Sequence, residues 1–131
     1  MSANQPSDVG SPASVVVIED DADVRFLLER HLRHLGWTVR GVETGEEGLA
    51  AVADSCPDAV VVDLGLPGIS GADVVRHLRE DRATLSCRVV VTSVLDRSEQ
   101  QRLRPDAVLP KPFTRRDVSR AMAAVMGPVP A

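Results

Sequence analysis

Four short runs of apolar, mostly β-branched residues punctuate this chain, and each stops at a polar group. Val15-Val16-Val17-Ile18 stops at Glu19-Asp20-Asp21 and Ala59-Val60-Val61-Val62 at Asp63. Val89-Val90-Val91 stops at Thr92-Ser93, and Ala107-Val108-Leu109 runs through one proline to Lys111. Apolar runs this short, with no polar alternation, suit strands covered on both faces, as in a parallel sheet. Thr38 to Val42 is a further strand candidate.

Between these runs the apolar spacing changes to three and four residues, the helical period. Val24, Leu27, Leu28, Leu32 and Leu35 predict one helix, closed by Gly36. Gly45 to Ala53 predicts a second, with Leu49, Val52 and Ala53 inward, and Ala72 to Glu80 a third, with Val74, Val75 and Leu78 inward. A short helical stretch is expected at about Ser98 to Leu103. The last helix starts at Thr114, a good N-cap, turns Val118, Ala121, Met122 and Val125 inward, and stops at Gly127-Pro128. Five strand–helix units joined by short loops predict an α/β domain: a doubly wound, three-layer fold with a five-stranded parallel sheet. All nine prolines fall outside the helical stretches, in tails, loops or strand ends. The domain is expected over residues 14–127, with a flexible tail rich in Ser, Pro and Gly at 1–13 and a C-terminal tail at 128–131.

In an open parallel sheet, ligands bind at the carboxyl ends of the strands. Those ends carry Glu19 and Asp20, Asp63, Thr92 and Lys111. Three carboxylates on one sheet edge repel one another, and a hard dication such as Mg²⁺ relieves that repulsion. One carboxylate left free is a nucleophile for phosphorus, and an ammonium and a hydroxyl suit the phosphoryl oxygens. The lysine is conspicuous, because the chain has 14 Arg and this single Lys. A compact ammonium reaches a phosphoryl oxygen where a planar guanidinium crowds it.

Composition narrows the field further. With 131 residues, 44% hydrophobic and 26% charged, the chain is the size and make-up of one globular domain. A net charge of -4 and three aromatics, Phe26, Trp37 and Phe113, argue against direct nucleic-acid binding. No apolar run approaches a membrane span, and the N-terminus has no signal-peptide pattern. Cys56 and Cys87, with no CxxC, read as reduced thiols in a cytoplasmic protein. His31 and His34 on one helix have the spacing of a metal pair but no evident third ligand, and are expected on a solvated face, as is His77.

The segments VVVIEDD, VVVDLGLPGISG, VVVTS and LPKPF, in this order and spacing, resemble the receiver domain of bacterial two-component response regulators over about residues 14 to 126. The resemblance implies a flavodoxin-like (βα)5 domain with strand order 2-1-3-4-5. It implies that Asp63 accepts a phosphoryl group from a histidine kinase or a histidine phosphotransfer protein. Glu19, Asp20, Asp63 and the backbone carbonyl of Gly65 are implied to hold Mg²⁺, with Lys111 and Thr92 on the phosphoryl group and a cis Lys111–Pro112 bond. Such a domain is a signalling module that catalyses its own phosphorylation and dephosphorylation, not an enzyme acting on other substrates. At this length it is expected to stand alone and to act by binding a partner or passing the phosphoryl group on.

Three departures from the family are visible. Val108 stands where an aromatic switch residue is usual. Thr92 and Lys111 stand 19 positions apart, a few fewer than usual, so the basic stretch with Arg97, Arg102 and Arg104 must be remodelled, which puts the usual dimer surface in doubt. Gly65 and Val94 occupy the positions that influence the hydrolytic water, and neither side chain can orient it, so a slowly hydrolysing phosphate is expected. Two other functions fit some of the residues. One is a docking domain that works without phosphorylation. The other is a haloacid-dehalogenase-like phosphatase, for which Asp21-Ala22-Asp23-Val24 is an echo of the nucleophile motif, although Asp63 then has no role.

Overall fold

The computed structural model describes residues 13–93 and 102–126. In chain order the elements are β1 (Ser14–Ile18), α1 (Ala22–His34), β2 (Thr38–Val42), α2 (Gly45–Ser55), β3 (Ala59–Asp63), α3 (Gly71–Glu80), β4 (Arg88–Ser93), β5 (Ala107–Pro110) and α4 (Arg115–Met126). The five strands form one parallel sheet in the order β2-β1-β3-β4-β5. The expected helix at 98–103 and the tails at 1–13 and 128–131 lie outside the described residues, except for Ala13 and the pair Arg102 and Leu103.

The uninterrupted valines conceal a period of two, because both faces of the sheet are covered. Val16, Ile18, Val60, Val62, Val89 and Val91 pack against α2 and α3, with Val52, Val74, Val75 and Leu78. Val15, Val17, Val61, Val90 and Leu109 point the other way, against Leu28 and Leu32 of α1 and Val118, Met122 and Val125 of α4. Burying one such side chain contributes about 1.5–3 kcal/mol, so the sheet's two faces account for much of the fold's stability. Trp37 packs at the margin of the second layer, as expected of a lone aromatic.

Two helical faces differ from the sequence expectation. Leu27 and Leu35 are exposed, at 42% and 37%. The buried stripe of α1 is Arg25, Leu28 and Leu32, and Leu27 lies about a quarter-turn to its side. Leu35 is itself the C-cap, with Gly36 following at φ 97°, the left-handed conformation that closes a helix. On α2, Ala53 is exposed, and the buried face is Gly45, Gly48, Ala51 and Val52. A Cβ at Gly48 would run into the Ile18 side chain, so α2 sits on β1 through this glycine.

Candidate functional site

Parallel pairing brings the strand ends together at one edge. Asp63, the last residue of β3, pairs with Thr92 near the end of β4. The Leu64 amide donates to the Thr92 carbonyl at 3.0 Å, and the Lys111 amide donates to the Ser93 carbonyl at 3.3 Å. These bonds tie the loops after β3 and β5 to the end of β4. The Lys111–Pro112 peptide is cis, as the resemblance implied.

The side chains then meet. Lys111 Nζ lies 2.8 Å from Glu19 Oε1 and 3.3 Å from Asp63 Oδ2. The second Glu19 oxygen accepts from the Asp21 amide at 3.1 Å, and Asp63 Oδ1 accepts from the Gly65 amide at 3.0 Å. Glu19 and Asp63 are buried, Asp20 is exposed, and carboxylate oxygens of the three fall within 4.8 Å of one another. Thr92 is fully buried, and its Oγ1 has no hydrogen-bond partner among the described residues.

Burial raises the pKa of Glu19, opposed by its bonds to Lys111 and the Asp21 amide and reinforced by the negative charge of Asp63. Burial also works against the charge on Lys111. Its hydrogen bond to Glu19 and the charges of Asp63 and Glu19 outweigh that, so its pKa lies above the ordinary lysine value. Lys111 is therefore an ammonium at neutral pH. One ammonium facing three carboxylates leaves the cluster electrostatically short of positive charge. An all-oxygen donor set with one exposed carboxylate fits a hard dication that retains water.

The structure thus brings Glu19, Asp20, Asp63, Thr92 and Lys111 to one edge. Asp21 is engaged elsewhere, because its side chain caps α1 and accepts from the Asp23 and Val24 amides at 2.9 and 3.2 Å. That commits Oδ1 of the carboxylate which the phosphatase reading needs as its nucleophile to the helix cap, and Asp21 is not in the acidic cluster. Glu19, Asp20 and Asp63 are the one group of metal-ligating side chains among the described residues, so His31 and His34 gain no third ligand. Cys56 and Cys87 line one cavity with Pro57 and Asp58, residues that lead into β3 and so lie at the far edge of the sheet. Burial pushes the Cys87 thiol up to about 11, which keeps it protonated and unreactive.

Two residues that shape the site have no role assigned by the sequence pattern, although Gly71 closes the segment VVVDLGLPGISG. A Cβ at Gly71, the first residue of α3, would run into the Asp63 carbonyl and Leu64 Cα, so only glycine lets α3 begin against the backbone of the central acid. Arg25 Nη1 donates to the Glu19 carbonyl at 3.0 Å from inside the protein. The segment that ends in Gly71 does not say which of its three glycines meets Asp63, and one of 14 arginines carries no signal of its own. Only the packing of α3 on β3 and of α1 on the β1 loop distinguishes them.

Comparison with known proteins agrees with this fold. The family model described as the response regulator receiver domain matches residues 15–123. The response regulator MprA of Mycobacterium sp. (strain KMS) is 34% identical over 117 residues, covering 88% of this chain and 51% of that protein. The chain spans about half the length of the curated relatives it matches. A response regulator receiver domain protein from Clostridium thermocellum superposes with a TM-score of 0.77 at 26% identity, over 87% of this chain and 94% of that one. The receiver domain of the sensor histidine kinase PA1611 from Pseudomonas aeruginosa PAO1, solved with a magnesium ion in its active-site cleft, has the same fold. It superposes with a TM-score of 0.82 at 21% identity, over 89% of this chain and 99% of that one. With its motifs on one sheet edge and the family model matching most of its length, this chain belongs to the response regulator receiver domains, which are signalling domains of two-component systems.

Proposed function

We propose that residues 14–127 form a working receiver in which Asp63 accepts a phosphoryl group from a phosphohistidine donor, a histidine kinase or a histidine phosphotransfer protein. The observation that carries this reading is the placement of Asp63 Oδ2 3.3 Å from the Lys111 ammonium, with Asp63 in register with Thr92, whose buried hydroxyl has no partner among the described residues. In the step, an Asp63 carboxylate oxygen forms a bond to phosphorus as the donor's P–N bond breaks, and the electron pair returns to that ring nitrogen, so that a donor protonated on its other ring nitrogen leaves as neutral imidazole. Lys111 and Thr92 donate to the phosphoryl oxygens, and such donors must be in place before charge develops. Glu19, Asp20, Asp63 and the carbonyl of Gly65 would hold Mg²⁺, whose charge offsets that of the carboxylates and the phosphoryl group. The domain catalyses its own phosphorylation and dephosphorylation, the latter slowly, because Gly65 has no side chain to orient water; Val94 lies outside the described residues.

The output is atypical in this reading. Val108 lies on β5 paired with Val91 and is 37% exposed, so no aromatic ring is available there to turn inward. The signal passes through backbone shifts at Thr92 and Lys111, or onward as the phosphoryl group itself. Among the described residues no helix is long and apolar enough to cross a membrane. The free thiols of Cys56 and Cys87 favour a cytoplasmic setting.

The test is incubation with acetyl phosphate and Mg²⁺ followed by intact-mass measurement. A gain of one phosphoryl group that disappears in Asp63→Asn supports the receiver. Steady turnover of a phosphate ester would point to a phosphatase instead, and an unchanged mass to a docking domain.

A further inference from the structure

Arg25 is a charged side chain on the buried stripe of α1, only 9% exposed. A buried guanidinium is expensive unless its donors are used, and the usual partner is a carboxylate. Among the described residues Arg25 forms no ion pair, and Glu29, one turn further along α1, faces Arg33 instead at 3.7 Å. Arg25 Nη1 donates to the main-chain carbonyl of Glu19. The amide of the same residue, Glu19, donates to the Val42 carbonyl at 3.1 Å. Glu19 is thus held through its backbone from α1 on one side and from β2 on the other. Next to Val42, a Cβ on Gly41 would overlap the Glu29 carboxylate and come within 3.3 Å of Arg25 Cδ. Glycine there leaves room for both side chains to cross β2.

We propose that Arg25 is a positioning residue for dication binding. By fixing the Glu19 carbonyl it sets the direction in which the chain presents the Glu19 and Asp20 carboxylates, and Gly41 keeps its path clear. Groups that orient metal ligands commonly influence metal affinity by about tenfold or more, because a ligand free to turn must be ordered on binding. The inference rests on the receiver reading, since it presumes that these acids hold Mg²⁺.

The test is calorimetric titration of the whole chain with Mg²⁺, for wild type, R25M, R25K and G41A, beside thermal unfolding in EDTA. R25M keeps the apolar stem and loses the donors, and its Mg²⁺ affinity should fall about tenfold. R25K, whose ammonium can still donate to a carbonyl, should recover part of the loss, and G41A should weaken Mg²⁺ binding in the same direction. Phosphorylation of R25M by acetyl phosphate should be slow at low Mg²⁺ and approach wild type at saturating Mg²⁺. Wild-type Mg²⁺ affinity in R25M alongside a lowered Tm would make Arg25 a structural brace only and overturn the proposal. If R25M does not fold, unchanged Mg²⁺ affinity in both R25K and G41A would overturn it equally. Absence of Mg²⁺ binding by the wild type would remove the receiver reading and this inference together.

Discussion

The two edges of this sheet are built from similar residues and put them to opposite uses. At the edge where the strands begin, polar groups are matched within the chain. Asp58 Oδ2 accepts from the Ser14 amide, Asp106 Oδ2 accepts from the Val89 amide and from Arg79, and Cys87 Sγ donates to the Pro57 carbonyl. At the edge where the strands end, three carboxylates cluster with one ammonium that pairs with two of them, and the buried Thr92 hydroxyl has no partner among the described residues. A folded chain gains nothing by crowding like charges. The first edge stabilises the fold, and the second holds charge and hydrogen-bonding capacity that a dication and a phosphoryl group can satisfy.

Substitutions at the two edges should therefore separate activity from stability. The largest effect expected is complete loss of phosphoryl uptake in Asp63→Asn, by intact mass, with a Tm no lower than wild type, because one of three crowded charges is removed. Asp106→Ala should do the reverse. It strips the Val89 amide of its acceptor and Arg79 of its carboxylate, and should cost about 1–3 kcal/mol in urea unfolding while phosphoryl uptake persists. A Tm in Asp63→Asn as low as that of Asp106→Ala would erase the distinction between the edges. A smaller effect is expected from Lys111→Ala. The ammonium competes with a dication for the same carboxylates, so Mg²⁺ titrations should show tighter binding while uptake from acetyl phosphate slows. Weaker Mg²⁺ binding in this variant would show that Lys111 arranges the acids rather than competing for them.

The smallest effect expected lies away from both edges. Burial first, and then the positive charges of Arg115, Arg30 and His34, hold the pKa of His31 below its ordinary value of 6.5. As pH falls below that value the unfolded chain takes up a proton that the folded chain refuses, so stability drops with pH in that window. His31→Gln should flatten that part of the stability–pH curve and leave the curve above neutrality unchanged. An equally steep acid slope in the variant would assign the sensitivity to other groups.

Much of this was legible in the sequence because the sheet is buried on both faces. Such strands are written as solid apolar runs, and the first polar residue after each run marks the sheet edge, which is how Glu19, Asp20, Asp63, Thr92 and Lys111 could be assembled without coordinates. Helical faces were less clear. The apolar stripe of α1 included Leu27 and Leu35, which the structure exposes, and omitted Arg25, which it buries. An arginine stem packs like an aliphatic chain, so the polar letter conceals a buried position. The contacts of Gly71, the last residue of the segment VVVDLGLPGISG, and of Gly41 were unread for a different reason. What matters at each is a missing side chain, at a contact made by distant parts of the chain.

The most direct measurement maps the modified residue. The chain is labelled with acetyl phosphate in the presence and absence of Mg²⁺, the acyl phosphate is trapped by borohydride reduction, and the peptides are sequenced by mass spectrometry. The expected result is a single Mg²⁺-dependent modification at Asp63. Modification at Glu19, Asp20 or Asp21 instead, or uptake at Asp63 that is indifferent to Mg²⁺, would contradict the assignment of this edge as a dication-assisted phosphoryl acceptor.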